Sequence, residues 1–319
     1  MKREHGGPDA QGVPVWDFSS NANACGPCPQ VLDAVQRADA RHYPDPAYSD
    51  LRSALAEFHS VDVDRIVLAS SASEFIFRMT ACLARSGLQR VWYPAMCYGE
   101  YPHAAKVWGL ERVLEPAQAD LLWLCEPSSP LGAADAMVAG VRQQQGVVVL
   151  DRAYEPLRLS GQCSLQEAAL DDVWQLWSPN KALGLTGIRG AYAIAPLNGR
   201  RLAQSLEQQA ASWPLGAHAV TMLRCWTHRD TQHWLAQSLE TLRFWKAAQL
   251  AMLQRWTCLP SDANFFCVKA AFNPVALRAQ GVKLRDTASF GLPGHWRLSV
   301  QTPAAQAALQ SALESEGAV

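Results

Sequence analysis

Asp120-Leu-Leu-Trp-Leu-Cys125 and Gly146-Val-Val-Val-Leu150 are apolar without a break, and the stretch between them is long enough for a helix. A strand with one wet face alternates apolar and polar residues, whereas a strand buried on both faces has no such need. The same continuous character marks Arg65-Ile-Val-Leu-Ala-Ser70, Arg90-Val-Trp-Tyr93, Val173-Trp-Gln-Leu-Trp177 and Gly190-Ala-Tyr-Ala-Ile-Ala195. Such runs, separated by helix-length segments, predict an α/β fold with a mostly parallel central sheet flanked by helices on both faces. After Trp213-Pro214 the pattern changes to i, i+3, i+4 apolar spacing through about Trp256, followed by the strand-like Asn264-Phe-Phe-Cys-Val-Lys269 and Trp296-Arg-Leu-Ser-Val300. This predicts a smaller C-terminal α+β domain. The expected division is an N-terminal arm over residues 1–35 that packs with the small domain, a large domain over 36–214 and the small domain over 215–319.

With 319 residues, 49% of them hydrophobic, the chain can bury a large core and a second, smaller one. The formal charge of -1 is spread without long runs, which gives no electrostatic footprint for nucleic acid. No apolar stretch approaches the roughly 20 residues that cross a bilayer. Small-molecule chemistry is the class that remains. The polar start Met1-Lys-Arg-Glu-His-Gly-Gly7 lacks the apolar segment of a signal peptide, so a cytoplasmic protein is expected. Nine cysteines, odd in number and unevenly spaced, argue for reduced thiols rather than a disulfide framework. Cys25-Gly-Pro-Cys28 has the spacing of a thioredoxin-type redox pair. No strand precedes it and no second Cys or His pair lies close by, which argues against redox and metal-binding roles.

The most informative chemistry lies in Ser178-Pro-Asn-Lys181-Ala-Leu-Gly-Leu-Thr-Gly-Ile-Arg189-Gly-Ala-Tyr192. A lysine just past a strand and before a glycine-punctuated loop is placed to condense with an aldehyde, a reaction that burial and neighbouring cations promote. Ser178 offers a hydroxyl and Arg189 a guanidinium, two donor types that clamp a phosphate. The bland alternative is a flexible loop with incidental charges. Asp151 and Tyr154, in Leu150-Asp-Arg-Ala-Tyr154, sit at the C-terminal end of a strand, where open α/β sheets place their ligands. Taken alone, Asp151 would read as a cap or turn residue. Ser70-Ser-Ala-Ser-Glu74 opens a helix and by itself would read as an N-cap, and Tyr98 in Pro94-Ala-Met-Cys-Tyr-Gly-Glu-Tyr101 would read as a core aromatic.

In their order along the chain these segments resemble the class I and II aminotransferases, enzymes that use pyridoxal 5'-phosphate (PLP). The family carries Ser/Thr-x-x-Lys, then Gly-Leu-x-Gly, then Arg eight residues after the lysine, and here Ser178, Lys181, Gly184-Leu-Thr-Gly187 and Arg189 match. The resemblance implies that Lys181 holds the cofactor, that Asp151 keeps its pyridine nitrogen protonated and that Tyr154 bonds its ring oxygen. It implies further that Ala72 and Ser73, at the helix start, receive the phosphate with Ser178 and Arg189, and that Tyr98 stacks on the ring. Glu126-Pro-Ser-Ser-Pro-Leu-Gly132 stands where the family has Asn-Pro-Asn-Asn-Pro-Thr-Gly, so Ser129 replaces an asparagine that bonds the ring oxygen. Arg152 replaces the family's Glu, and the phosphate turn lacks the usual Gly. Arg297, in Trp296-Arg-Leu-Ser299, matches the arginine that clamps the substrate carboxylate, and Asn23 and Asn264 match positions near the substrate.

His42-Tyr43-Pro-Asp-Pro46 is similar to the Tyr-Pro-Asp-Pro motif of the histidinol-phosphate aminotransferase branch, in which the tyrosine reaches the cofactor phosphate of the neighbouring subunit. A homodimer with shared active sites is the implied partner arrangement. His5-Gly-Gly7, Trp16-Asp-Phe-Ser-Ser-Asn-Ala-Asn23 and Ala211-Ser-Trp-Pro-Leu-Gly-Ala-His218 look most like the threonine-phosphate decarboxylases of cobalamin biosynthesis. These make aminopropanol phosphate from L-threonine O-3-phosphate. The expected substrate is a small amino acid or amino-phosphate, with an aminotransferase as the second reading and a catalytically inactive binding module as the third.

Overall fold

The continuous apolar runs become strands covered on both sides. The computed structural model describes residues 5–141 and 144–315, so the polar Met1–Glu4 start lies outside the described residues. After β1 (Trp16–Asp17), the central sheet consists of β2 (Ile66–Ala69), β3 (Arg90–Trp92), β4 (Glu111–Arg112), β5 (Leu121–Cys125), β6 (Val147–Asp151), β7 (Trp174–Trp177) and β8 (Ala191–Ile194). Their order is β2-β8-β7-β6-β5-β3-β4. Alternate residues serve opposite faces, and both faces are dry. Val67, Leu121, Trp123 and Val149 pack on one side, against α3 (Ala72–Arg85), α4 (Glu100–Trp108) and α7 (Arg200–Gln209). On the other side Leu122, Leu124, Val148 and Leu150 meet α5 (Ala136–Ala139) and α6 (Glu167–Leu170), while Ile66 and Leu68 meet α1 (Pro29–Gln36) and α2 (Ser49–His59).

Strand direction decides where a ligand can sit. From β7 through β6, β5 and β3 to β4 all pairs are parallel, but β8 is antiparallel to both β7 and β2. Two reversals restore the direction, so β2 runs with the parallel set, and the C-terminal ends of β2, β3, β5, β6 and β7 open along one edge. Arg78, buried inside α3, pairs with Glu74 at 2.8 Å and donates to Leu68 O at 2.6 Å and Leu206 O at 3.2 Å. These bonds tie α3 to β2 and α7, and hold its start at that edge.

The helices α8 (Ala217–Trp226) and α9 (Arg229–Met252) follow. Met222, Leu223, Trp226, Leu235 and Leu242 from them share one apolar cluster with Ile66 and Leu68 of the central sheet. The second sheet is antiparallel, in the order β12-β13-β10-β9: β9 (Thr257–Cys258), β10 (Phe265–Lys269), β12 (Arg285–Asp286) and β13 (His295–Ser299). Its core joins Phe266, Val268 and Leu298 to Leu277 of α10 (Pro274–Ala279) and to Leu309 and Leu313 of α11 (Pro303–Ser315). The N-terminal segment is tied to both units. β1 pairs with β11 (Val282–Lys283) and Phe18 is buried in the second core, whereas Val31 and Val35 are buried against the first.

Candidate active site

At the edge where the parallel strands end lies a cavity of about 980 Å³. Ala72, Ser73, Tyr98, Ser129, Asp151, Tyr154, Ser178, Lys181, Arg189 and Arg297, all singled out from the sequence, line it. They arrive from the ends of β2, β5, β6 and β7, from the α4 approach and from β13, which is why they are scattered over more than two hundred residues of chain.

The α3 end is a reciprocal cap. Ser71 Oγ accepts the Glu74 N–H at 3.1 Å, and the Glu74 carboxylate accepts the Ser70 N–H at 3.2 Å. The helix start, with the positive end of its dipole, is thereby aimed at residues Ala72 and Ser73 on the cavity wall. Ser73 Oγ shares a 3.1 Å hydrogen bond with the Tyr98 hydroxyl, whose pKa burial pushes up to about 12. Arg189 is exposed at the rim. The loop that carries it is braced by Asn180, whose Nδ2 donates to Ile188 O at 3.2 Å while its Oδ1 accepts from Ser178 Oγ at 3.0 Å.

Lys181 is half-buried, with Nζ 5.2 Å from the centre of the Tyr154 ring. Its turn is docked to the N-terminal segment through backbone bonds: Asn23 N–H donates to Lys181 O at 2.9 Å and Cys28 N–H to Leu183 O at 2.8 Å. The approach leaves no room for a side chain, since a Cβ on Gly26 would lie 2.9 Å from Gly184 Cα. Cys25-Gly-Pro-Cys28 is thus the packing surface of the lysine turn. Burial pushes both thiols up, Cys25 to about 11, the opposite of what a redox pair needs.

Asp151 ends β6 in a buried setting that pushes its carboxyl up. The Tyr101 hydroxyl, the Ala153 N–H and the charge of Lys181 oppose that shift. Asp151 Oδ1 accepts the Ala153 N–H at 3.0 Å and Oδ2 accepts from Tyr101 Oη at 2.8 Å. The Tyr154 hydroxyl accepts from Asn21 Nδ2 at 3.1 Å. Arg297 is buried, and its guanidinium makes only long contacts: Nη1 to Ser129 Oγ at 3.3 Å and Nη2 to Ser19 O at 3.4 Å. Its Nε has no partner, and among the described residues no carboxylate pairs with it. The faces of Phe290 and Phe265 lie 5.0 and 5.4 Å away.

Two predicted substrate contacts lie elsewhere. Asn23 does not line the cavity: its Nδ2 donates to Ala182 O at 3.0 Å and Ser238 Oγ at 2.8 Å, and its Oδ1 accepts the Cys25 N–H. Its amide is used up in holding the Lys181 turn. Asn264 also lies behind the wall, donating to Asn21 O and Ala22 O at 3.2 Å. Among the described residues the asparagine that lines the cavity is Asn21, and its buried Oδ1 has no partner among them. Tyr43 is 77% exposed and stacks on Trp213 at 4.4 Å, away from the cavity of its own chain.

Sequence reading missed Asn21, Tyr101 and Arg285. Tyr101, three residues after Tyr98, has the sequence character of a core aromatic. Arg285 lies directly opposite Arg297 in the β12–β13 register, is equally buried and lines the same cavity. Its Nη2 donates to Ser289 Oγ at 2.7 Å. On a two-residue strand, no periodicity could have marked it.

Residues 13–314 match the family "Aminotransferase class I and II". The histidinol-phosphate aminotransferase of Akkermansia muciniphila is 27% identical, over 92% of this chain and 87% of that protein. Among solved structures, L-threonine-O-3-phosphate decarboxylase from Porphyromonas gingivalis superposes with a TM-score of 0.80 at 20% identity, covering 94% of this chain and 98% of that one. Histidinol-phosphate aminotransferase from Sinorhizobium meliloti, solved in complex with pyridoxal-5'-phosphate, gives 0.75 at 20% identity, over 93% and 89%. With a lysine, an acid and a capped helix start converging where the parallel strands end, and with the family matched over nearly its whole length, the chain belongs to the class I and II aminotransferases, enzymes that work with pyridoxal 5'-phosphate.

Proposed function

We propose that this enzyme holds PLP on Lys181 and removes the carboxylate from a small phosphorylated amino acid, in the manner of a threonine-phosphate decarboxylase. The residues present fit the cofactor. A primary amine, a buried carboxylate with both oxygens oriented, a capped helix start and an asparagine oxygen without a partner all border one cavity. Ala72, Ser73, Ser178 and Arg189 would hold the phosphate, Asp151 the pyridine N–H, and Tyr154 the ring oxygen. When bound, PLP supplies an electron sink for the pair released as a bond at the substrate α-carbon breaks.

The chain's own residues supply the rest. Arg297 receives the α-carboxylate, bidentate, at a guanidinium that otherwise has only long, neutral contacts. Lys181, on the Tyr154 side, delivers a proton to the α-carbon once the carboxylate has left. The observation that carries the amino-phosphate reading is the cationic lining around Arg297, a buried guanidinium with no carboxylate partner among the described residues: a substrate with anionic ends offsets the cost of holding that charge out of water. Among the described residues the lining has five Lys or Arg against two acids, Glu100 and Asp151. Transamination of histidinol phosphate is the second reading, favoured by the name of the Akkermansia muciniphila relative.

Tyr43, exposed and stacked on Trp213, is the residue through which a second copy of the chain would complete the phosphate site in a homodimer. The test of the reaction is mass spectrometry of products after incubating PLP-loaded protein with L-threonine O-3-phosphate, with and without 2-oxoglutarate. Aminopropanol phosphate formed without the oxo acid is the expected result. Glutamate formed from histidinol phosphate and 2-oxoglutarate, with no product from threonine phosphate, would move the enzyme to the second reading.

A further inference from the structure

A carboxylate that must keep a ring nitrogen protonated has to stay ionised while buried, and burial works against it. In this protein the opposing contact comes from a residue outside the motifs. Tyr101, on α4, is 1% exposed and donates its hydroxyl hydrogen to Asp151 Oδ2 at 2.8 Å. The ring is clamped: it stacks on Trp123 of β5 at 5.1 Å with 4° between planes, and meets the edge of Tyr98 at 5.8 Å and 88°. The hydroxyl is therefore aimed by packing on two sides. Asp151 Oδ1 is held independently by the Ala153 N–H. A carboxylate has about four acceptor positions, so two remain for a ligand.

We infer that Tyr101 is a positioning residue for Asp151: its clamped hydroxyl fixes the carboxylate's orientation and keeps it anionic, so that the ring nitrogen of bound cofactor keeps its proton. This rests on the proposal that PLP sits on Lys181 against Asp151. Burial and the adjacent Asp151 charge push the Tyr101 phenol well above its ordinary range, so the tyrosine keeps its proton and has it to donate to the carboxylate. A charge-assisted O–H to carboxylate bond is among the stronger hydrogen bonds available to a protein.

Tyr101→Phe removes the hydroxyl and keeps the ring and its stacking. The experiment binds PLP labelled with 15N in the ring to the wild-type, Tyr101→Phe and Asp151→Asn apo-proteins. It measures cofactor affinity by titration, the ring-nitrogen NMR shift, and the thermal midpoint of each apo-protein. The expected result is a Tyr101→Phe protein that folds, binds PLP roughly ten- to a hundredfold more weakly, and has a ring-nitrogen signal moved toward the unprotonated position, part of the way to Asp151→Asn. A ring-nitrogen shift equal to the wild type's, whatever happens to the midpoint, overturns the inference, because a merely structural tyrosine would leave that signal alone. Failure of the underlying reading looks different: wild-type protein would then bind no PLP, or Asp151→Asn would leave the ring-nitrogen shift unmoved.

Discussion

Replacing Arg297 with methionine separates a structural arginine from one held for a ligand, because the two roles predict opposite changes in stability. The side chain is buried, its Nε lacks a partner, and its two other contacts are neutral and long. A buried charge costs several kcal/mol, against which the Phe290 and Phe265 faces, about 0.5–2 kcal/mol each, and two long neutral contacts are a partial offset, so that no stabilising role for the free enzyme is expected of Arg297. Methionine fills similar volume without the charge, so the thermal midpoint of Arg297→Met should hold or rise by a few degrees, at about 2–4 °C per kcal/mol. Catalysis should move the other way. A carboxylate left without its buried partner costs about 2–5 kcal/mol, a fall of roughly 30- to 5,000-fold in kcat/KM. PLP binding, read from the visible absorbance of the lysine-bound cofactor, should be retained. The assay pairs steady-state kinetics on threonine phosphate with a thermal melt. A midpoint lowered by several degrees with kcat/KM within about threefold of wild type would refute the reasoning and make Arg297 a core residue.

Lys181→Ala should fold, with an unchanged far-ultraviolet circular dichroism spectrum, yet show no visible band when mixed with PLP. His59, whose Nε2 lies 2.7 Å from the Tyr192 hydroxyl, is held down to about 3 by burial, with Arg152 adding to the effect. The unfolded chain takes up that proton below about pH 6.5 and the folded chain does not, so stability is lost as pH falls from 6.5 toward 3. This amounts to about 2 kcal/mol at pH 5. Urea midpoints at pH 7 and pH 5 should therefore differ less in His59→Phe than in wild type. Gly26→Ala should cost about 1–3 kcal/mol and weaken PLP retention, because the new methyl group meets backbone at Gly184, Leu183 and Asn23 rather than side chains that can move. If Tyr43 serves a partner's site, Tyr43→Ala and Lys181→Ala, each inactive alone, should recover activity when unfolded together and refolded, because one site of the mixed dimer is then intact.

The central sheet was legible because strands buried on both faces are largely apolar: β2, β5 and β8 are so throughout, β6 until Asp151 at its end, and β7 but for Gln175. Strands of two residues, such as β11 and β12, have no period to read, and with β12 went Arg285. Lys181 and Asp151 were readable from local motifs. Asn23 was placed at the substrate and Asn21 was not, because which asparagine spends its amide on the Lys181 turn depends on Ala182 and Ser238, which are distant in sequence. Ser129, expected near the cofactor ring oxygen, lines the cavity and also accepts from Arg297 across it. That contact joins β13 to the loop after β5, a pairing that no local pattern encodes.

The antiparallel strand β8 has a consequence for how the chain comes to fold. Among the described residues β2 is an edge strand whose only ladder is with β8, pairing Ile66 with Ile194. During synthesis the apolar Ile66-Val-Leu-Ala69 emerges well before its partner and must wait, while the α3 start that follows it has no fixed wall to face. Contacts of such long range are slow to form, and an unpaired apolar strand is open to wrong partners meanwhile. The α3 start after β2 and the Lys181 turn before β8, at two sides of the cavity, thus depend on the same long-range ladder for their register.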